Sequence, residues 1–326
     1  MKPIHKKLMT GAIAAAAIAA VGAGSYAVTR KLMHIALDRD CPLMDQKAGK
    51  DKLRGSKELS EKEQFLEGKV QTLMAQPLQT VNICAEDGTT LIGHWYRAEH
   101  PKRTIIAMHG WRSTWARDFG SIADFWHSND CNVLYAEQRG QGESGGAYMG
   151  FGLPERYDCL RWAQWVNETC GETLPVYLIG VSMGATTVLM AAGLELPKNV
   201  CGIVADCGFT EPHAIWKHVV EHNLHLPYAL NRKAAGQIYD QKLQIPVDSA
   251  STIEAMQQCK VPVLFVHGTD DRFVPVEMTY GNYKACASEK DIFIVPGAGH
   301  GMSYFENQSG YEAAVLRFWE KHDKVC

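Results

Sequence analysis

From about residue 80 onward, short apolar runs rich in β-branched residues recur along the chain, each ending in a polar or glycine-rich turn. Thr80 to Cys84 and Thr90 to Arg97 flank Glu86-Asp87-Gly88, the signature of a hairpin. Thr104 to Met108, Val133 to Ala136, Val176 to Val181, Val200 to Ala205, Val261 to Val266 and Ile292 to Val295 follow as buried strands. Helical patterns lie between most of them, over Ser113 to His127, Glu155 to Val166 and Met183 to Leu194, and a charged helix closes the chain over Tyr311 to Lys324. Strands that alternate with helices imply an α/β fold: a mostly parallel sheet covered on both faces, with its chemistry at the carboxyl ends of the strands. After the strand that ends near Asp206 the alternation stops from Cys207 to Gln258, which predicts a small helical cap over the site at about 207–258.

The first part of the chain has another character. Lys2, Lys6 and Lys7 precede an uncharged stretch from Leu8 to Val28 rich in Ala, Gly and Ile. Its length approaches the roughly 20 residues a helix needs to cross a bilayer and exceeds a typical secretory core. Residues 1–30 are therefore expected to be an uncleaved membrane anchor; a signal segment cleaved near Ala23 or Ser25, giving a secreted protein, is the alternative. Basic residues on the two flanks are nearly balanced, and only lean towards a catalytic domain outside the cytoplasm. Residues 31–79 are expected to be a charged linker with a helix over Ser60 to Met74, and 80–326 the catalytic domain.

Composition narrows the partners. A net charge of -3 without a basic run leaves no electrostatic footprint for nucleic acid. Ten cysteines without a framework spacing, and without a C-x-x-C pair, support neither a zinc site nor a redox motif.

Gly180-Val181-Ser182-Met183-Gly184 matches G-x-S-x-G, in which the glycines allow a sharp strand-to-helix turn that holds the serine hydroxyl out at the sheet edge. Gly142-Glu143-Ser144-Gly145-Gly146 matches the same letters, but lacks the strand before and the helix after, so Ser144 is read as a loop residue. A serine hydroxyl needs a base to take its proton and a carboxylate to hold that base in the right tautomer. On such an elbow the chain order is serine, acid, histidine. Only His300 and His322 follow the candidate acid; His322 belongs to the terminal helix and is expected to be solvated, whereas His300 sits in the loop Gly297 to Gly301 just after a strand. Asp271, in Gly268 to Pro275, is the expected acid, with Asp270 and Asp206 as rivals. Two amides must face the oxyanion: Met183, after the nucleophile, and Trp111, in His109-Gly110-Trp111 after an earlier strand. Trp216, Leu224, Leu226 and Tyr228 of the cap, with Met302 and Tyr304, are candidates for an apolar substrate pocket or for plain core.

These stations together resemble the α/β-hydrolase superfamily, in its single-chain esterase and peptidase-like branch, over roughly residues 78 to 325. The matching pieces are His109-Gly110-Trp111, the Gln138 to Ser144 loop, the Gly180 to Gly184 elbow, the Gly268 to Pro275 loop and Gly299-His300, in the family's order. Where the family usually begins its loop with Asp, this chain has Glu137-Gln138. The resemblance implies a serine hydrolase that acts on a small-molecule acyl substrate without metal or organic cofactor. Ester cleavage is the first expectation; acyl transfer, thioester or peptide cleavage by the same triad are alternatives, and a non-catalytic binding protein on the same fold is the alternative of another class.

Overall fold

The computed structural model describes residues 24–41, 61–229 and 231–323. Eight strands form one sheet in the order β1-β2-β4-β3-β5-β6-β7-β8. They are β1 (Gln79–Cys84), β2 (Thr90–Tyr96), β3 (Arg103–Met108), β4 (Cys131–Ala136), β5 (Val176–Val181), β6 (Val200–Asp206), β7 (Val263–Gly268) and β8 (Lys290–Val295). The β1–β2 hairpin joins β4 antiparallel, and every pairing beyond it is parallel. This is the expected α/β-hydrolase fold, and the strand boundaries follow the apolar runs to within about two residues.

Helices α1 (24–37) and α2 (Glu61–Met74) precede the sheet. Inserted between strands are α3 (Trp115–Ser128), α4 (Glu155–Cys170), α5 (Met183–Ala191), α6 (Pro212–His218), a π-helical turn (Val219–Asn223), α7 (Arg232–Leu243), α8 (Thr252–Gln258) and α9 (Val276–Ala285). The short α10 (Ser303–Glu306) and the terminal α11 (Gln308–His322) follow β8.

Both sheet faces are buried because successive strand residues point to opposite sides. Ile106, Leu134 and Leu178 meet Trp162 of α4, Val188 of α5 and Met256 of α8 on one face. Ile105, Val133 and Tyr177 meet Phe119 of α3 and Phe318 and Trp319 of α11 on the other. With neighbours on both faces, the central strands need no polar positions; β3, β4 and β6 are buried along their whole length.

Three expectations need correction. The cap is shorter than 207–258, because α8 packs on the sheet through Met256; α6, the π turn and α7 form the inserted layer. The described parts of the segment expected as a linker, 31–41 and 61–79, are also built into the domain. Thr29, Met33 and Leu37 form a buried stripe at helical spacing on α1, and α1 joins the apolar cluster of the cap. Leu73 of α2 packs on α3. Finally, His322 is not solvated: its ring lies 4.8 Å from that of Phe318, and only 9% of its side chain is exposed.

The expected anchor lies outside the described residues up to residue 23. From 24 on it is the helix that continues unbroken to 37, across the boundary expected at 30. Among the described residues no helix is long and apolar enough to cross a membrane.

Candidate active site

Ser182 stands between β5 and α5 with φ 56° and ψ −118°, a strained backbone for a residue with a side chain. The turn is sharp because two glycines let main chains meet. A Cβ on Gly180 would lie 2.2 Å from the Gly184 carbonyl oxygen, and a Cβ on Gly184 1.8 Å from that of Met108. The Ser182 N–H donates to the Asp206 carbonyl at 2.8 Å, which ties the elbow to β6.

Three distant loops converge on the Ser182 hydroxyl. His300 Nε2 lies 2.9 Å from Ser182 Oγ, and His300 Nδ1 lies 2.7 Å from Asp271 Oδ2. With Nδ1–H donating to the carboxylate, Nε2 is left as acceptor for the hydroxyl proton. Asp271 follows β7 and His300 follows β8, so the line lies at the carboxyl ends of the parallel strands. Of the rivals, Asp270 is an exposed turn residue that accepts from Thr269 Oγ1, and Asp206 is buried with Ser303 Oγ donating to it at 3.0 Å. Ser144 is fully buried and structural: its hydroxyl donates to the Glu137 carbonyl and accepts from the Ile92 N–H.

Burial by itself would raise the Asp271 pKa, but hydrogen bonds from His267 and His300 and the Val274 amide hold the carboxyl well below the ordinary carboxylate range. Its Oδ1 accepts from the Phe273 and Val274 amides, each at 2.9 Å. His267 escaped the sequence reading, since a histidine inside an apolar strand looks like core. Cys207 also escaped it. Its thiol clusters with Asp271 and His300, their ligand atoms all within 4.8 Å of one another, and burial pushes its pKa well up.

The loop after β3 carries Trp111, whose amide is the second one expected at the oxyanion. Asp118 accepts from the Gly110 N–H at 2.6 Å and from Ser113 Oγ at 2.5 Å, and Thr114 caps α3. Behind it His109, whose pKa burial lowers, meets the Gly110 carbonyl through Nδ1 and accepts from the Gln138 N–H through Nε2. Glu137 accepts from His94 and from the Glu143 and Ser144 amides, so the departure from Asp at this loop still ties it down. Among the described residues neither the Trp111 nor the Met183 amide donates to another backbone group, and Met183 opens α5, where such amides have no partner within the helix.

The pocket candidates separate. Trp216 and Tyr228 are buried in the apolar cluster that also holds Met183, Phe209 and Val274, with Trp111 and Phe273 packed against it. Leu224 and Leu226 are exposed and lie outside that cluster. Met302 is half-buried just ahead of α10, and the Tyr304 hydroxyl donates to Glu312. Phe273, which the sequence reading passed over, lies beside the histidine: its ring centroid is 5.0 Å from that of His300 and 6.4 Å from that of Trp111.

The sequence profile of the prolyl oligopeptidase family matches residues 117–325. The uncharacterised protein YqkD of Bacillus subtilis is 28% identical over 191 residues, 57% of this chain and only 61% of that relative's length. Among solved structures, the Pyrococcus furiosus esterase Pf2001 aligns with a TM-score of 0.62 at 22% identity, covering 77% of this chain and 95% of that one. The Pyrococcus horikoshii acylaminoacyl peptidase aligns with a TM-score of 0.56 at 15% identity, over 76% of this chain and 42% of the peptidase.

Proposed function

The chain belongs to the prolyl oligopeptidase family of α/β serine hydrolases, and from that premise we propose that it cleaves carboxylic esters through an acyl-enzyme on Ser182. The observation that carries the reading is the unbroken line from Ser182 Oγ through His300 to Asp271.

In the proposed mechanism Ser182 Oγ attacks the acyl carbonyl while His300 Nε2 takes its proton. The Trp111 and Met183 amides donate to the oxyanion as charge develops there. Asp271 remains ionised, holds the Nδ1–H tautomer and stabilises the imidazolium. His300 then protonates the leaving alkoxide; water, deprotonated by the same imidazole, hydrolyses the acyl-enzyme. The aromatic pair Trp111 and Phe273, with Trp216 behind, offers an apolar wall for an acyl chain of medium length. Cleavage of short or acylated peptides is a second reading that the family match favours, since the same triad can protonate an amine leaving group.

A panel of p-nitrophenyl esters of increasing acyl length, run beside N-acyl peptide p-nitroanilides, separates the two readings. Ester turnover with a maximum at medium length supports the first; turnover confined to the anilides, or a steep rise with long-chain lipids, refutes it. Ser182→Ala should abolish both turnover and labelling by a fluorophosphonate, and labelling that survives in this variant would remove Ser182 from its role. For the chain ahead of residue 24 we propose membrane attachment with the domain outside the cytoplasm, which the lysine-then-apolar order supports and which carbonate extraction of membranes with protease protection tests.

A further inference from the structure

The loop that carries the Trp111 amide is gripped from outside by α1. The indole Nε1–H of Trp111 donates to the Ala36 carbonyl at 2.8 Å. Arg112 donates to the Ile35 carbonyl through Nε at 3.1 Å and through a terminal nitrogen at 2.8 Å, and that nitrogen also reaches the Asp38 carbonyl at 2.5 Å. Ile35 and Ala36 belong to the last turn of α1, where carbonyls have no partner within the helix and the helix dipole favours a cation. Arg112 therefore caps this helix in space, although 77 residues separate it from Ile35 in sequence. It does so from a left-handed backbone, φ 50°, that a residue with a Cβ adopts only under constraint.

The grip is useful only if α1 is itself fixed, and it is held on three sides. Met33 and Leu37 are buried against the cap cluster. Asp38 pairs with Lys242 of α7 at 2.8 Å. Arg39 donates to the Ser144 and Gly142 carbonyls, while the Met149 amide donates to the Leu37 carbonyl at 2.8 Å. The helix thus ties the cap, the glycine-rich loop and the oxyanion loop into one unit.

Resting on the serine-hydrolase reading above, we propose that Arg112 is a positioning residue: by clasping the C-terminal carbonyls of α1 it sets the Trp111 amide at the oxyanion, which makes the N-terminal helix part of the catalytic apparatus. Oxyanion donors must sit within a few tenths of an ångström of the developing charge, so a loop released from this clasp loses stabilisation of the transition state more than binding of the ground state.

The test uses the full chain with Arg112→Ala and Arg112→Lys. A fluorophosphonate reports on the hole without assuming the natural substrate. Ser182 Oγ bonds to phosphorus, the P–F bond breaks, fluoride leaves, the hydroxyl proton passes to His300, and the phosphoryl oxygen occupies the oxyanion position. The expected result in Arg112→Ala is a fall of about ten- to a hundredfold in the labelling rate constant, matched by an equal fall in kcat for a medium-chain ester, with KM within about twofold. Arg112→Lys keeps the charge but not the fork, and should recover part of the loss. Labelling and kcat at wild-type level in either folded variant, or a change in KM alone, overturns the proposal; should Arg112→Ala fail to fold, Arg112→Lys decides it. Wild-type protein that labels but cleaves no ester would count against the ester reading and leave this comparison standing.

Discussion

His267 Nε2 lies 3.2 Å from Asp271 Oδ2 and 3.0 Å from the Val274 carbonyl, while its Nδ1 lies 2.7 Å from Thr279 Oγ1. Both neighbours of Nε2 are acceptors, so the proton resides there and Nδ1 accepts from the threonine hydroxyl. A fully buried second histidine thus orients the carboxylate that orients the first. Replacing His267 by Ala should lower kcat about ten- to a hundredfold with little change in KM, because the line is misaligned rather than broken. His267→Gln, which can still offer a donor near the Nε2 position, should lose less; steady-state kinetics of the two variants provide the check.

Gly184 and Gly68 make opposite predictions for the same substitution. Ala at 184 would drive its Cβ to 1.8 Å from the Met108 carbonyl oxygen, and the Gly184 variant should lose about 3 kcal/mol or more of stability or fail to fold. Gly68 sits inside α2 with nothing within 4 Å of a Cβ, so Gly68→Ala should gain roughly 0.5–1 kcal/mol. Urea unfolding midpoints decide both.

Asp206 yields a pH prediction. Burial pushes its pKa up to about 6 from the ordinary 3.8, against the opposing pull of His267, Ser303 and His300. A carboxyl raised in the folded state costs nothing below pH 4, where it is protonated folded or unfolded; the cost grows between about pH 4 and 6 and is constant above. Asp206→Asn cannot ionise and can still accept from Ser303. It should therefore match the wild type at pH 4 and exceed it by roughly 1–3 kcal/mol at pH 7 to 8. Thermal unfolding across this range tests it, and a constant gap between the two proteins would contradict it.

Phe273→Ala removes the ring beside His300 and leaves the Asp271-binding amide at that position intact. KM for medium-chain esters should rise several-fold, with acetyl esters affected less, because lost apolar contact scales with the buried chain. An acyl-length series on the variant measures this. An equal effect at every length would mean that the ring acts on His300 rather than on substrate.

Much of this architecture was legible in one dimension. The pattern of apolar residues located all eight strands: strands buried on both faces, such as β3 and β4, leave a continuous apolar run, while β1 and β2 are short runs about a turn signal. Ser182, Asp271 and His300 stood out because each lies in a glycine-rich or polar turn directly after such a run, and strand ends are where a parallel sheet exposes side chains. Tertiary packing alone decided the rest. His267 looks like core until Asp271 folds back over it, Phe273 meets His300 only when the acid loop meets the histidine loop, and α8 joins the sheet rather than the cap by where Met256 finds apolar partners. The role of α1 was the least legible of all. Its carbonyls and the Arg112 fork carry no pattern that links them along the chain, because hydrogen bonds between distant segments are selected by shape and proximity, whereas burial of a strand or helix face is written locally as periodicity.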